Sequence, residues 1–282
     1  MIVETELEAH VTATPQRPQA VPRLLSFVRR FTNRRRQQML KTEIRTADGL
    51  CPAYTDHPQG AGPWPAVVLF MDGIGIRPAM FEIATRLATC GYYVLLPDLY
   101  YRAGAYEPMN ARTVFSDPEA RRVLSERFFP VATAANIMAD MRAFLDFLAR
   151  QAQVRPGGIG TTGYCMGGSL SLTAAGTYPE HVAAAAAYHA GRLATDAPDS
   201  PHRLAARMRA RVYVAGASAD PSFPDDMKAR LGEALRAAGV EHLIETYEAR
   251  HGWVPSDTPV HDPAATERHW QSLQALLRAR LG

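Results

Sequence analysis

The strongest constraint on this fold is a reactive side chain at a tight turn between a strand and a helix. The run Gly163-Tyr164-Cys165-Met166-Gly167-Gly168 reads G-x-C-x-G-G; Gly160, Thr161 and Thr162 precede it and a small-residue segment, 169–176, follows. A nucleophile at such a turn takes a strained backbone conformation. Its flanking positions must lack Cβ atoms so that strand and helix can approach. The pattern has the design of the G-x-S-x-G nucleophile elbow, with sulfur in place of oxygen. The following helix aims its N-terminus at the thiol, which favours a thiolate and an oxyanion alike. Taken alone, the run also fits a buried structural cysteine in a glycine-rich turn.

The flanking sequence reads as an α/β framework. Residues 42–46 and 50–55 alternate around Ala47-Asp48-Gly49, as a hairpin does. Residues 66–70 and 92–96 are continuous apolar runs, expected of strands buried on both faces. Pro78 opens a helix that closes at Cys90-Gly91. Residues 100–129 read as irregular and then helical over 118–127. Residues 132–151 form a strong helix, with Ile137, Met141, Phe144, Leu145 and Leu148 at core spacing. Further strands are expected at 158–164, 182–188, 211–217 and 243–247, and helices at 224–238 and 263–281. This alternation predicts an α/β fold with a mainly parallel central sheet and helices on both faces.

The length of 282 residues and 47% hydrophobic content suit one such body, residues 42–282, behind an N-terminal extension, residues 1–41. Seven cations and no acid lie between Arg23 and Lys41, although the whole chain carries only +3. The extension therefore reads as a docked or solvated basic helix, or as a contact for an anionic surface. The small net charge gives no reason to expect a nucleic-acid partner. The N-terminus has no apolar core of a secretory signal, and no stretch is apolar enough to cross a membrane. Cys51, Cys90 and Cys165 form neither a disulfide framework nor a metal-ligand spacing. A reducing, cytoplasmic setting is expected, with no metal and no cofactor.

A cysteine nucleophile needs a base, and the base needs a group to orient it. In open α/β sheets these gather at the carboxyl ends of the strands. Asp220 follows the strand at 211–217, and His251 follows the strand at 243–247. The order Cys165, Asp220, His251 is that of α/β-hydrolases. The oxyanion donors are expected to be the backbone N–H groups of Met166 and Gly73, with Asp72 a second carboxylate near the thiol.

Five segments carry a family resemblance: Met71-Asp72-Gly73-Ile74-Gly75, Pro97-Asp98-Leu99-Tyr100-Tyr101-Arg102, the elbow itself, Gly216-Ala217-Ser218-Ala219-Asp220 and Tyr247-Glu248-Ala249-Arg250-His251. Through them the body resembles the dienelactone hydrolase family. The resemblance implies an α/β-hydrolase fold, a Cys-Asp-His triad and cofactor-independent hydrolysis of an ester or lactone. Arg102 falls where the family binds a substrate carboxylate. Three positions depart from the family pattern: Asp72 replaces a glutamate, His189 replaces a tyrosine, and Gly252-Trp253-Val254-Pro255-Ser256 lacks a second arginine. His189 and Trp253 are therefore expected to contact substrate, with Trp253 offering an apolar surface to a small-molecule ester or lactone. An acyltransferase, or a relative that only binds a ligand, are the alternatives.

Overall fold

The computed structural model describes residues 39–218 and 220–282. Six of the seven cations of the expected basic cluster, Arg23 to Arg36, lie outside them; the seventh, Lys41, does not. β1 begins at Leu40 (Leu40–Thr46), so the last two residues allotted to the extension belong to the first strand. The described residues form one compact unit.

β1 turns at Thr46–Gly49 into antiparallel β2 (Gly49–Asp56). β2 pairs antiparallel with β4 (Tyr93–Pro97). From there every pairing is parallel: β4 with β3 (Ala66–Phe70), then β5 (Ile159–Tyr164), β6 (Val182–Tyr188), β7 (Arg211–Ala217) and β8 (His242–Tyr247). The eight-stranded order is β1-β2-β4-β3-β5-β6-β7-β8. β3, β4 and β5 are buried along their whole length, as their apolar or small-residue sequences require. The outermost strands, β1 and β8, alternate or are only partly covered.

The helices are α1 (Pro78–Thr89), α2 (Pro118–Val123), α3 (Ala134–Ala149), α4 (Met166–Thr177), α5 (Asp225–Ala237) and α6 (Pro263–Leu281). Both faces of the sheet are covered. A Cβ on Gly160 would stand 2.7 Å from Leu277 of α6, and one on Gly163 would strike Gly167 of α4. Those two positions differ by an odd number along one strand, so they point to opposite faces. The expected helix at 118–127 is split: α2 ends at Val123 and a π-helical turn, Leu124–Phe128, continues it.

Strand order fixes where a site can form. The chain steps from β3 outward to β4, then returns past β3 to β5 and continues the other way. The carboxyl ends of β3 and β5 therefore flank the point where the winding reverses, where α/β sheets open a crevice.

Candidate active site

Cys165 stands at that crevice, one residue past β5 and immediately before α4, with φ 52° and ψ −115°. Steric contact explains the surrounding glycines. A Cβ on Gly163 would lie 2.1 Å from the Gly167 carbonyl oxygen, and one on Gly167 would lie 2.3 Å from that of Phe70. Neither clash can be relieved by a side-chain rotation, because both partners are backbone. Only glycine lets α4 dock close enough to bring its first N–H groups beside the sulfur.

His251 enters from the loop after β8 and Asp220 from the loop after β7. The His251 Nδ1 and Asp220 Oδ2 atoms are 2.7 Å apart. The Ser222 hydroxyl donates to Asp220 Oδ1 at 2.6 Å and the Ser222 N–H to the same oxygen at 2.9 Å. Burial alone would raise the Asp220 carboxyl. The hydrogen bonds from His251 and Ser222 outweigh it and hold the group at about 2. Burial likewise opposes charge on His251, but hydrogen bonds to Asp220 and Cys165 and their charges lift the imidazole to about 10. The ring thus spans acid and thiol, with Nδ1 on the acid. Sequence reasoning missed Ser222, although Asp220-Pro221-Ser222 is itself a turn signal in which an Asp side chain caps the residue two further on.

The loop after β3 presents the Gly73 N–H to the site. The Asp72 carbonyl accepts from Gly75 N–H at 3.2 Å, which fixes the Asp72–Gly73 peptide. The Gly73 carbonyl accepts from the Tyr100 hydroxyl at 2.9 Å, and Ile74 N–H donates to Asp72 Oδ1 at 2.9 Å. The Gly73 N–H is left without a partner among the described residues. Met166 opens α4, so its N–H has no carbonyl a turn earlier to use. Gly73, Met166, Cys165 and His251 line one cavity together.

Asp72 lies beside this loop, but its carboxylate is committed. Arg77, at the start of α1, grips both Asp72 oxygens at 2.7 and 2.9 Å. The same guanidinium holds Asp257, in the loop after His251, at 2.7 and 3.1 Å. One buried arginine therefore ties the loop carrying Gly73 to the loop carrying His251. Nothing local in the sequence signals this clasp, since 180 residues separate Arg77 from Asp257.

Two expected substrate contacts lie away from the cavities around Cys165. Arg102 does not reach the cavities around Cys165: Asp140 of α3 takes its guanidinium in two bonds of 2.7 Å, and Asp48 of the β1–β2 turn adds one of 2.8 Å. Its fork is filled, so it has no geometry left for a substrate carboxylate. Trp253 is fully buried, stacked on Tyr247 with centroids 5.3 Å apart and edge-on to His189 at 4.8 Å. It backs the site and borders neither cavity. His189, by contrast, lines the smaller cavity with Cys165. It is 1% exposed, its ring is 5.4 Å from that of His251, and burial beside His251 pushes its proton affinity well below that of an ordinary histidine.

Among the described residues no helix is long and apolar enough to cross a membrane, and no cluster of three or more His, Cys, Asp or Glu could hold a metal ion.

Comparison with known proteins fits this architecture. The dienelactone hydrolase family model matches residues 51–281. A predicted carboxymethylenebutenolidase of Methylorubrum extorquens is 29% identical over 243 residues, covering 84% of this chain and 80% of that protein. A crystal structure of a predicted dienelactone hydrolase from Klebsiella pneumoniae superposes with a TM-score of 0.74 at 23% identity, covering 86% of this chain and 98% of the other. A dienelactone hydrolase-like promiscuous phosphotriesterase from metagenomic libraries gives 0.67 at 24% identity, covering 86% and 99%. The chain belongs to the dienelactone hydrolase family, and is an α/β-hydrolase enzyme of ester or lactone bonds.

Proposed function

We propose that this enzyme hydrolyses an ester or lactone through a Cys165 nucleophile, a His251 acid-base and an Asp220 that orients the imidazole, without metal or cofactor. One observation carries the reading: His251 bridges the thiol and a buried carboxylate beside two unpartnered backbone N–H groups. The imidazole, anchored by Asp220, is the group that takes the Cys165 proton as the sulfur attacks.

The sulfur adds to the carbonyl carbon, and the carbonyl oxygen becomes an oxyanion held by the Gly73 and Met166 N–H groups. Collapse breaks the bond to the leaving oxygen, which takes the proton from His251. This leaves a thioester on Cys165 and a neutral imidazole. Water then gives a proton to His251 as its oxygen adds to the thioester carbon. The second collapse expels the thiolate and releases the acid. Asp220 stays ionised and offsets the imidazolium charge in both halves. Three free cysteines, one of them fully buried, support a reducing, cytoplasmic setting.

Acid quenching during turnover of an aryl ester, followed by peptide mass analysis, should find one acyl group on the Cys165 peptide. Cys165→Ala and His251→Ala should each cost about 10⁴-fold or more in kcat, and Asp220→Asn somewhat less. Full turnover by either alanine variant would overturn the assignment.

A further inference from the structure

The cleft at Cys165 has two lobes, one of about 610 Å³ and one of about 320 Å³. Gly73, Phe115, Cys165 and His251 border both, so the reacting atoms stand at the waist between them. Phe115 is 54% exposed and Phe129, at the rim of the larger lobe, 40%. Apolar rings left in water at a cleft mouth mark a surface that a ligand covers.

The walls are mainly apolar. Phe129, Leu170 and Pro201 face the larger lobe, and Ile74, Ala111 and Val260 the smaller. Few charged side chains border either lobe. Arg192 and Asp199 at the larger lobe are both exposed and oppose each other. In the smaller lobe Asp72 is neutralised by Arg77, and Arg112 is exposed.

Backbone strain points to the same place. The non-glycine residues with positive φ among those described are Cys165 (52°), His189 (39°) and Arg192 (59°). Cys165 borders both lobes, His189 the smaller and Arg192 the larger. Strain of this kind persists where the surrounding structure holds it for function. The turn at 189–192 therefore shapes both lobes at once.

We propose that the preferred substrate is a two-armed, predominantly apolar ester, with its carbonyl at the waist, one carbon-rich arm in each lobe and Phe115 dividing the arms. The inference rests on Cys165 being the nucleophile. A single small lactone ring fills only one lobe, whereas each lobe alone is in the size range of a ligand pocket, about 300–1,000 Å³. An arm that buries one more methylene raises kcat/KM by about fourfold until its lobe is full.

The test uses two ester series, one lengthened on the acyl side from acetyl to octanoyl and one on the alcohol side from methyl to octyl. It is run on the wild type, Ala134→Trp and Val260→Trp. Ala134 borders only the larger lobe and Val260 only the smaller. The readout is the long-to-short ratio of kcat/KM within each protein. Alkylation of Cys165 by iodoacetamide checks that each variant retains its thiol environment. In the wild type both ratios should exceed tenfold. Each tryptophan should then collapse one ratio by at least tenfold and spare the other, the two variants acting on opposite series. Flat ratios in the wild type, or both variants acting on the same series, would overturn the two-armed substrate. Absence of acyl transfer to Cys165 from the shortest ester would instead overturn the nucleophile.

Discussion

Two arginines in this protein make nearly the same contacts and serve different regions. Arg77 and Arg102 each bind one buried aspartate through two nitrogens and a second, more exposed aspartate besides. Side-chain exposure is 1% for Arg77 and 11% for Arg102. Yet Arg77 joins the loops that carry Gly73 and His251, whereas Arg102 joins the β1–β2 turn to α3. The chemistry of the pair is the same in both places. What differs is which strand ends the pair connects, and that decides whether losing it disturbs catalysis or only the fold.

Of the two arginines, the larger expected effect is that of Arg77→Ala. It leaves Asp72, 4% exposed, as an uncompensated buried charge, and should cost about 3–5 kcal/mol in urea unfolding. In the fraction that folds, kcat should fall by about 10²-fold, the scale of a misplacement near 1 Å. Arg77→Ala with normal kcat would show that the clasp is structural only, and the comparison would fail.

Arg102→Ala should destabilise comparably, by about 3 kcal/mol, because Asp140 is 2% exposed. Its kcat/KM for a carboxylate-bearing and a neutral ester should change by the same factor. Selective loss on the acidic substrate would return Arg102 to the binding site.

A pH series separates both clasps from the His251–Asp220 pair. Burial opposes the charge of each guanidinium, but its aspartates outweigh that effect, so both arginines stay charged across the working range. The His251–Asp220 pair does not. The imidazole is raised above its ordinary 6.5 to about 10, so its stabilising effect is complete below pH 6.5 and fades as pH climbs to 10. The Asp220 carboxyl is lowered from 3.8 to about 2, so its effect is present above pH 3.8 and lost as pH falls through 2. The Tm gap between wild type and His251→Gln should be widest between about pH 4 and 6.5 and close toward pH 10. A gap constant with pH would refute the coupling.

The smallest effect belongs to Asp48→Asn. Asp48 is 55% exposed, and an exposed partner contributes about 0–1 kcal/mol. A loss beyond 2 kcal/mol would mean that the β1–β2 turn depends on this pair.

The elements of the fold were legible because each is specified by neighbours in sequence. The runs at 66–70 and 92–96 are strands because a continuous apolar stretch is only stable buried on both faces. The elbow was legible because only glycine satisfies contacts as close as that from Gly163 to Gly167, four residues apart. The gathering of Cys165, Asp220 and His251 followed from strand-end placement, which parallel topology makes predictable. The split of 118–127 into a helix and a π-helical turn was not legible, because both share one local pattern.

The tertiary structure alone decided which long side chains face the site. Arg102 follows β4, the neighbour of β3 in the sheet, and its sequence neighbours suit a binding loop. Asp140, 38 residues away, captures it. Trp253 follows His251 by two residues, yet its ring turns inward onto Tyr247. The Arg77 clasp, the inward placement of His189 and the two lobes around Phe115 depend on how loops from distant strands pack against one another. Local sequence sets where a chain turns. The direction a flexible side chain takes from that turn is set by which charge or ring lies within reach after folding.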